Sequence, residues 1–313
     1  MELLDVPEFG AGIAAGVCFA FLAGLPGAVS ALRGARRSFP LGAVAFCVAG
    51  IVALGPGAVP VLPALALGGI GAAAAARPLI GPTRSVLAAA PFAAVVALGF
   101  DADGTWLPRA VFVGATVVPI VVATFEDVRR ETPIGPAMFA LSVLGVSWCV
   151  PDTEHVAALA GAALPVAAFG WPLGLVRLGR AGSGASVALV VWASALDSRA
   201  RPASVLAGIA CFGLLLAVPV ADRLRRRPVG RRSVRPRFTT ASPARPRPRD
   251  RERSLLAVVT IAVHGAFVLG AARLAGGFES VAAAAIVAGT CLVCALAVAT
   301  VLDGRASEIV RED

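Results

Sequence analysis

The side chains able to do chemistry in this sequence are few. It holds two histidines, six cysteines and 28 basic residues, every one of them arginine. His155 follows Pro151-Asp152-Thr153-Glu154 in a polar stretch, whereas His264 lies inside an apolar run. An imidazole in an apolar run is either a proton-exchanging group or a neutral, hydrogen-bonded structural one. The structural reading is favoured here. Cys18, Cys47, Cys149, Cys211, Cys291 and Cys294 all fall inside or at the edge of apolar runs. Cys291 and Cys294 form a CxxC, but no second pair or histidine accompanies them, so they read as small buried hydrophobes. Hard divalent cations want several carboxylate oxygens, which makes Glu126 and Asp127, with Glu131, weak metal candidates. Arg129 and Arg130 interleave with these acids, and a solvated, ion-paired loop is the simpler reading. No acid lies in the middle of an apolar run, which argues against an ion-coupled pump.

The elements that must position these groups follow from composition. Of the 313 residues 58% are hydrophobic and 15% charged, where a soluble domain carries about 25% charged residues. The apolar residues are gathered into long uncharged runs. Such runs satisfy their own backbone only as helices or as a closed barrel, and alternating strand-like segments are absent. The expected fold is all-α: a polytopic transmembrane helical bundle of about eleven spans, one domain over 1–313. The spans are expected at 9–31, 40–56, 58–76, 85–100, 107–125, 134–150, 156–176, 184–197, 203–221, 254–275 and 280–302. The run at 184–197 is the shortest. Acidic Glu2, Asp5 and Glu8 open the chain, so a cleavable signal peptide is not expected.

Arginine placement sets the orientation. With the N-terminus outside and the C-terminus cytoplasmic, 24 arginines fall on inner segments and 4 on outer ones. Without the long loop at 222–253 the ratio is still 11 to 4, as the positive-inside rule requires. That cytoplasmic loop is dominated by Arg and Pro and is expected to be largely disordered or adsorbed to anionic lipid. The net charge of +9 is thereby explained by topology, and no nucleic-acid partner is expected. The expected location is the plasma membrane, with several passes.

Several inner segments resemble one family. Gly179-Arg180-Ala181-Gly182-Ser183, after Trp171-Pro172, resembles the "F-x-G-D-x-G-S" segment of the polyprenyl-phosphate N-acetylhexosamine-1-phosphate transferases. Arg37-Ser38-Phe39-Pro40-Leu41-Gly42-Ala43 resembles their first-loop "P-x-x-G-G". Ala75-Ala76-Arg77-Pro78-Leu79-Ile80-Gly81-Pro82 resembles "D-D-R-x-x-L-S-P". Thr124-Phe125-Glu126-Asp127 occupies the place of "N-x-x-N-x-x-D-G", Pro219-Val220-Ala221-Asp222 resembles "P-L-x-D", and Asp250-Arg251-Glu252-Arg253 resembles the start of "D-R-x-H-x-H-H". The order of these segments and the eleven-span topology match the family, whose members move a sugar-1-phosphate from a UDP-sugar to a polyprenyl phosphate with Mg²⁺.

The departures define what the resemblance implies. The family's paired aspartates are Ala75 and Ala76, its "G-D-x-G-S" aspartate is Arg180, and its histidine cluster is missing, with Arg253 at one position. Phosphoryl transfer depends on a metal to neutralise developing charge. Loss of its carboxylates removes several kcal/mol, a factor of about 10³ or more in rate. The resemblance therefore implies a catalytically degenerate member with no metal site, one that needs Mg²⁺ only if active. Arg77, Arg129, Arg180, Gly182, Ser183 and Asp222 are its candidate ligand-binding residues. The implied partners are membrane lipid, a polyprenyl phosphate, a nucleotide sugar or an envelope enzyme. An active transferase using displaced acids, or an unrelated transporter or scaffold, is the alternative.

Overall fold

Alanine, valine and leucine offer the backbone no side-chain hydrogen bonds, so a run of them closes its own amides into i to i−4 bonds. The computed structural model describes residues 6–32, 39–55, 59–98, 135–150, 154–197, 208, 210–212, 215 and 249–275. Its elements are α1 (Pro7–Leu32), α2 (Gly42–Leu54), α3 (Val61–Ile80), α4 (Pro82–Leu98), α5 (Gly135–Cys149), α6 (Glu154–Gly170), α7 (Arg180–Asp197) and α8 (Arg249–Ala275). Among the described residues there is no strand, only one parallel bridge between Phe39 and Val176. The all-α expectation is met. The expected spans 107–125 and 280–302 lie outside the described residues, as do nearly all of 203–221 and most of the loop 222–253.

Three boundaries differ from the sequence expectation, each for a local reason. Arg77 ends the apolar run of the third span, yet α3 continues to Ile80 and stops at Gly81, whose φ of 82° suits glycine. The seventh span was drawn to residue 176, but α6 ends at Gly170. Pro172 and Gly174, with a φ of 67°, carry the chain out of the helix. The Arg/Pro-rich loop was drawn to residue 253, whereas α8 begins at Arg249 and takes in its last five residues.

The helices meet through small residues. α1 lies along α6, and a Cβ on Gly12 would collide with the Ala158 carbonyl. One on Gly16 would sit 2.7 Å from the Ala162 carbonyl oxygen, and one on Gly161 would strike the Phe9 carbonyl. Backbones at this distance exchange many weak contacts, which is how helices associate where no water drives them together. α2 packs on α1, α6 and α7; α3 and α4 form a hairpin against α7; α5 lies between α6 and α8. Phe46, Phe139 and Phe212 fill the centre, with ring centroids 4.8 Å and 5.8 Å apart.

The interior is apolar with a few polar groups, and much of the exterior is apolar too. Ser142, Ser183, Ser186, Ser194, Thr260 and His264 are buried, while Phe21, Leu22, Leu62, Leu65, Val258 and Leu269 are exposed. One described helix, α1, is long and apolar enough to cross a membrane by length and composition; the other apolar stretches are of 10–17 residues.

Candidate functional site

Two of the segments singled out in the sequence, 39–43 and 175–183, meet at one end of the bundle. After α6 the chain turns back: the Gly174 amide donates to the Gly170 carbonyl (2.8 Å) and the Leu175 amide to the Phe169 carbonyl (2.9 Å). Residues 175–178 then run beside 39–43. The Phe39 amide donates to the Leu175 carbonyl (3.1 Å) and the Arg177 amide to the Phe39 carbonyl (2.8 Å). The Gly42 and Ala43 amides donate to the carbonyls of Arg177 (2.7 Å) and Leu178 (2.8 Å). No side chain caps α2, whose N-cap is Leu41. The distant strand-like segment does that work and satisfies two of the orphan donors of the first turn.

Glycines make the approach close. A Cβ on Gly179, whose φ is 77°, would run into the Pro40 carbonyl. One on Gly42 would lie 2.8 Å from the Arg177 carbonyl oxygen, and one on Gly182 only 2.6 Å from the Ala43 and Val44 backbone. Val176, fully buried, fills the space between Gly24 of α1 and Gly42 of α2. Further along, Ser186 Oγ donates to the Gly182 carbonyl (2.8 Å) and to the Ala43 carbonyl (3.1 Å), and Cys47 Sγ lies 3.3 Å from Ser186 Oγ. α2 and α7 therefore run parallel in fixed register, Ala43 beside Gly182, Cys47 beside Ser186 and Gly50 beside Leu189.

Of the candidate ligand-binding residues, Gly182 and Ser183 sit inside this seam, Gly182 against the α2 backbone and Ser183 buried. Arg180 opens α7. Arg77 is half-buried in the last turn of α3, which packs on α7, and its carbonyl accepts the Gly81 amide at 2.9 Å. Ser85 Oγ ties the α3–α4 hairpin by donating to the Ala73 carbonyl at 2.6 Å. Arg129, Asp222, Glu126 and Asp127 lie outside the described residues.

The metal expected of an active family member does not fit what is described. Ala75 is exposed and Ala76 half-buried, and neither brings an oxygen ligand. No group of three or more His, Cys, Asp or Glu side chains among the described residues could hold a metal ion.

A second polar cluster joins α5, α8 and Cys211. His264 Nε2 lies 2.8 Å from the Met138 carbonyl oxygen and 3.0 Å from Ser142 Oγ. A carbonyl only accepts, so this geometry assigns the proton to Nε2. Ser142 Oγ donates to the Cys211 carbonyl at 2.9 Å, while His264 Nδ1 makes no hydrogen bond. Ser142 carried no signal in the sequence beyond lying in an apolar run. Cys211 Sγ and Cys149 Sγ are 4.0 Å apart.

No protein-family model, curated protein or solved structure matches the chain.

Proposed function

We propose that the chain is a multi-pass protein of the plasma membrane, with eleven spans, an outer N-terminus and a cytoplasmic C-terminus. We further propose that it is a degenerate relative of the UDP-sugar:polyprenyl-phosphate sugar-1-phosphate transferases. Its cytoplasmic face binds a phosphate-bearing, lipid-linked or nucleotide ligand, or partners an envelope enzyme, without metal-assisted turnover. The Arg/Pro-rich loop 222–253 adheres to anionic lipid.

The observation that carries this reading is the pairing of two family-like segments, beside a helix that carries a third. Residues 39–43 and 175–183 are paired through their backbones. α3, which carries Ala75, Ala76 and Arg77, packs on α7. The many exposed Leu, Val and Phe side chains support a lipid surround, because so much large apolar surface is costly in water.

Parity supports the span count. Two parallel helices in one bilayer are separated by an odd number of crossings. Between α2 and α7 the described helices α3, α4, α5 and α6 provide four. The expected span at 107–125 is the fifth that the eleven-span reading calls for.

Two measurements test the proposal. A cysteine probe at Asp103 is expected to be labelled from outside, and one at Ser242 only after permeabilisation; the reverse pattern sinks the topology. The purified protein is expected to bind undecaprenyl phosphate or a UDP-amino sugar, to lose that binding in Arg77→Ala or Arg180→Ala, and to show no Mg²⁺-dependent sugar-1-phosphate transfer. Robust transfer that Glu126→Ala or Asp222→Ala abolishes would replace this reading with the displaced-acid enzyme.

A further inference from the structure

The Cys149–Cys211 contact is more than chance proximity of two small hydrophobes. The Cys211 main chain is held on both sides, its amide by the Gly208 carbonyl (3.0 Å) and its carbonyl by Ser142 Oγ (2.9 Å). Ser142, Gly145 and Cys149 share one face of α5, at the spacings that place side chains above one another. Gly145 leaves the slot that Cys211 uses: a Cβ there would lie 2.9 Å from Cys211 Sγ. The two sulfurs are thus aimed at each other 62 residues apart in sequence, and both are buried.

We propose that Cys149 and Cys211 are a paired dithiol that is oxidised to a disulfide, a covalent staple between α5 and the 208–215 segment. The proposal rests on the membrane orientation given above, which puts Cys149, the last residue of α5, at the extracytoplasmic end. Thiols on that side meet disulfide-bearing oxidants, whereas cytoplasmic ones are kept reduced. The oxidant is a thiol–disulfide exchange protein of that compartment. The Cys149 thiolate attacks its disulfide, forms a mixed disulfide and releases one of its thiols. The Cys211 thiolate then attacks the Cys149 sulfur and releases the second. The chain loses two protons and two electrons, and the oxidant's disulfide becomes a dithiol. Closing from 4.0 Å to a bond of about 2 Å requires rotation of the Cys149 side chain at the helix end. Both cysteines precede α8 in the chain, so exchange takes place before α8 packs over Gly145, where Val268 now lies.

The test is thiol counting on the full-length protein in its native membrane. The membranes are denatured and treated with a maleimide-linked polyethylene glycol, with and without prior reduction. All but two of the six cysteines are expected to react without reduction, and all of them after it. Mass spectrometry of the unreduced wild-type digest is expected to find one cross-linked peptide pair containing Cys149 and Cys211. In Cys149→Ser every remaining thiol is expected to react without reduction. A pair that stays blocked in this variant, or is mapped to Cys291 and Cys294, overturns the proposal. So does reaction of all six thiols in the unreduced wild type. Free thiols with the Asp103 and Ser242 labelling as expected defeat the dithiol alone; free thiols with the labelling reversed defeat the orientation as well.

Discussion

Two seams hold this bundle together by different means. Between α1 and α6 backbone meets backbone: Gly12, Gly16 and Gly161 let main chains touch, and beside them Phe169 packs on Gly24 and edge-on to Phe21. Between α5 and α8 the contact is organised around His264, Ser142 and the Met138 and Cys211 carbonyls. In a lipid surround neither seam gains from expelling water. The first gains dispersion over many close atoms, and the second gains a few bonds whose alternatives in hydrocarbon are poor. The first therefore depends on the absence of side chains at its glycines, and the second depends in addition on its donors and acceptors.

The contrast is broken most sharply at Gly12. Gly12→Val adds three carbons, the first of which already strikes the Ala158 carbonyl, and is expected to cost about 3 kcal/mol or more, since a backbone cannot swing aside as a side chain does. Unfolding in mixed micelles is the measurement, and an unchanged midpoint would show that the α1–α6 seam is looser than drawn. The polar seam is expected to give a smaller effect. Ser142→Ala and His264→Leu, each alone and together, should return a coupling of about 0.5–1.5 kcal/mol in a double-mutant cycle. Additive losses would mean that the two side chains act separately. The smallest effect, of opposite sign, belongs to Gly10→Ala. Nothing lies within 4 Å of a Cβ there, so the variant is expected to gain about 0.5 kcal/mol from helix propensity alone. A loss at Gly10 comparable to that at Gly12 would erase the distinction between seam and free face.

Much of the helical architecture was legible in the sequence. α1, α2 and α5 follow uninterrupted apolar runs, and the short run at 184–197 extends in the structure to 18 residues because Arg180, Ala181, Gly182 and Ser183 join it. Boundaries failed where hydropathy and backbone geometry part company. Leu173, Leu175 and Val176 are as apolar as any helix interior, yet Gly174 adopts a conformation that ends the helix, the Leu175 and Val176 amides donate to the Phe169 carbonyl, and the Leu175 carbonyl accepts from Phe39. The partner of that pairing is far away in sequence, and no local pattern contains it. The same limit applies to Gly12 and Gly16. Their spacing is visible in the sequence, but the surface they accept, Ala158 and Ala162 of the same chain, appears only in the fold. Of the candidate site, Gly182 and Ser183 were found by motif resemblance, whereas Ser186 and Cys47, which fix the register of α7 on α2, were not.

The pairing of 39–43 with 175–178 has a consequence for how the chain is made. Residues that this register brings together, such as Cys47 and Ser186, are 139 apart. A ribosome adding about 5–20 residues per second leaves an interval of roughly 10–30 s between them. Throughout that interval the Gly42 and Ala43 amides lack the carbonyls that later receive them, and solvent must serve in their place. α2 is thus begun early and finished late, and its first turn waits for a stretch of chain that is still inside the ribosome.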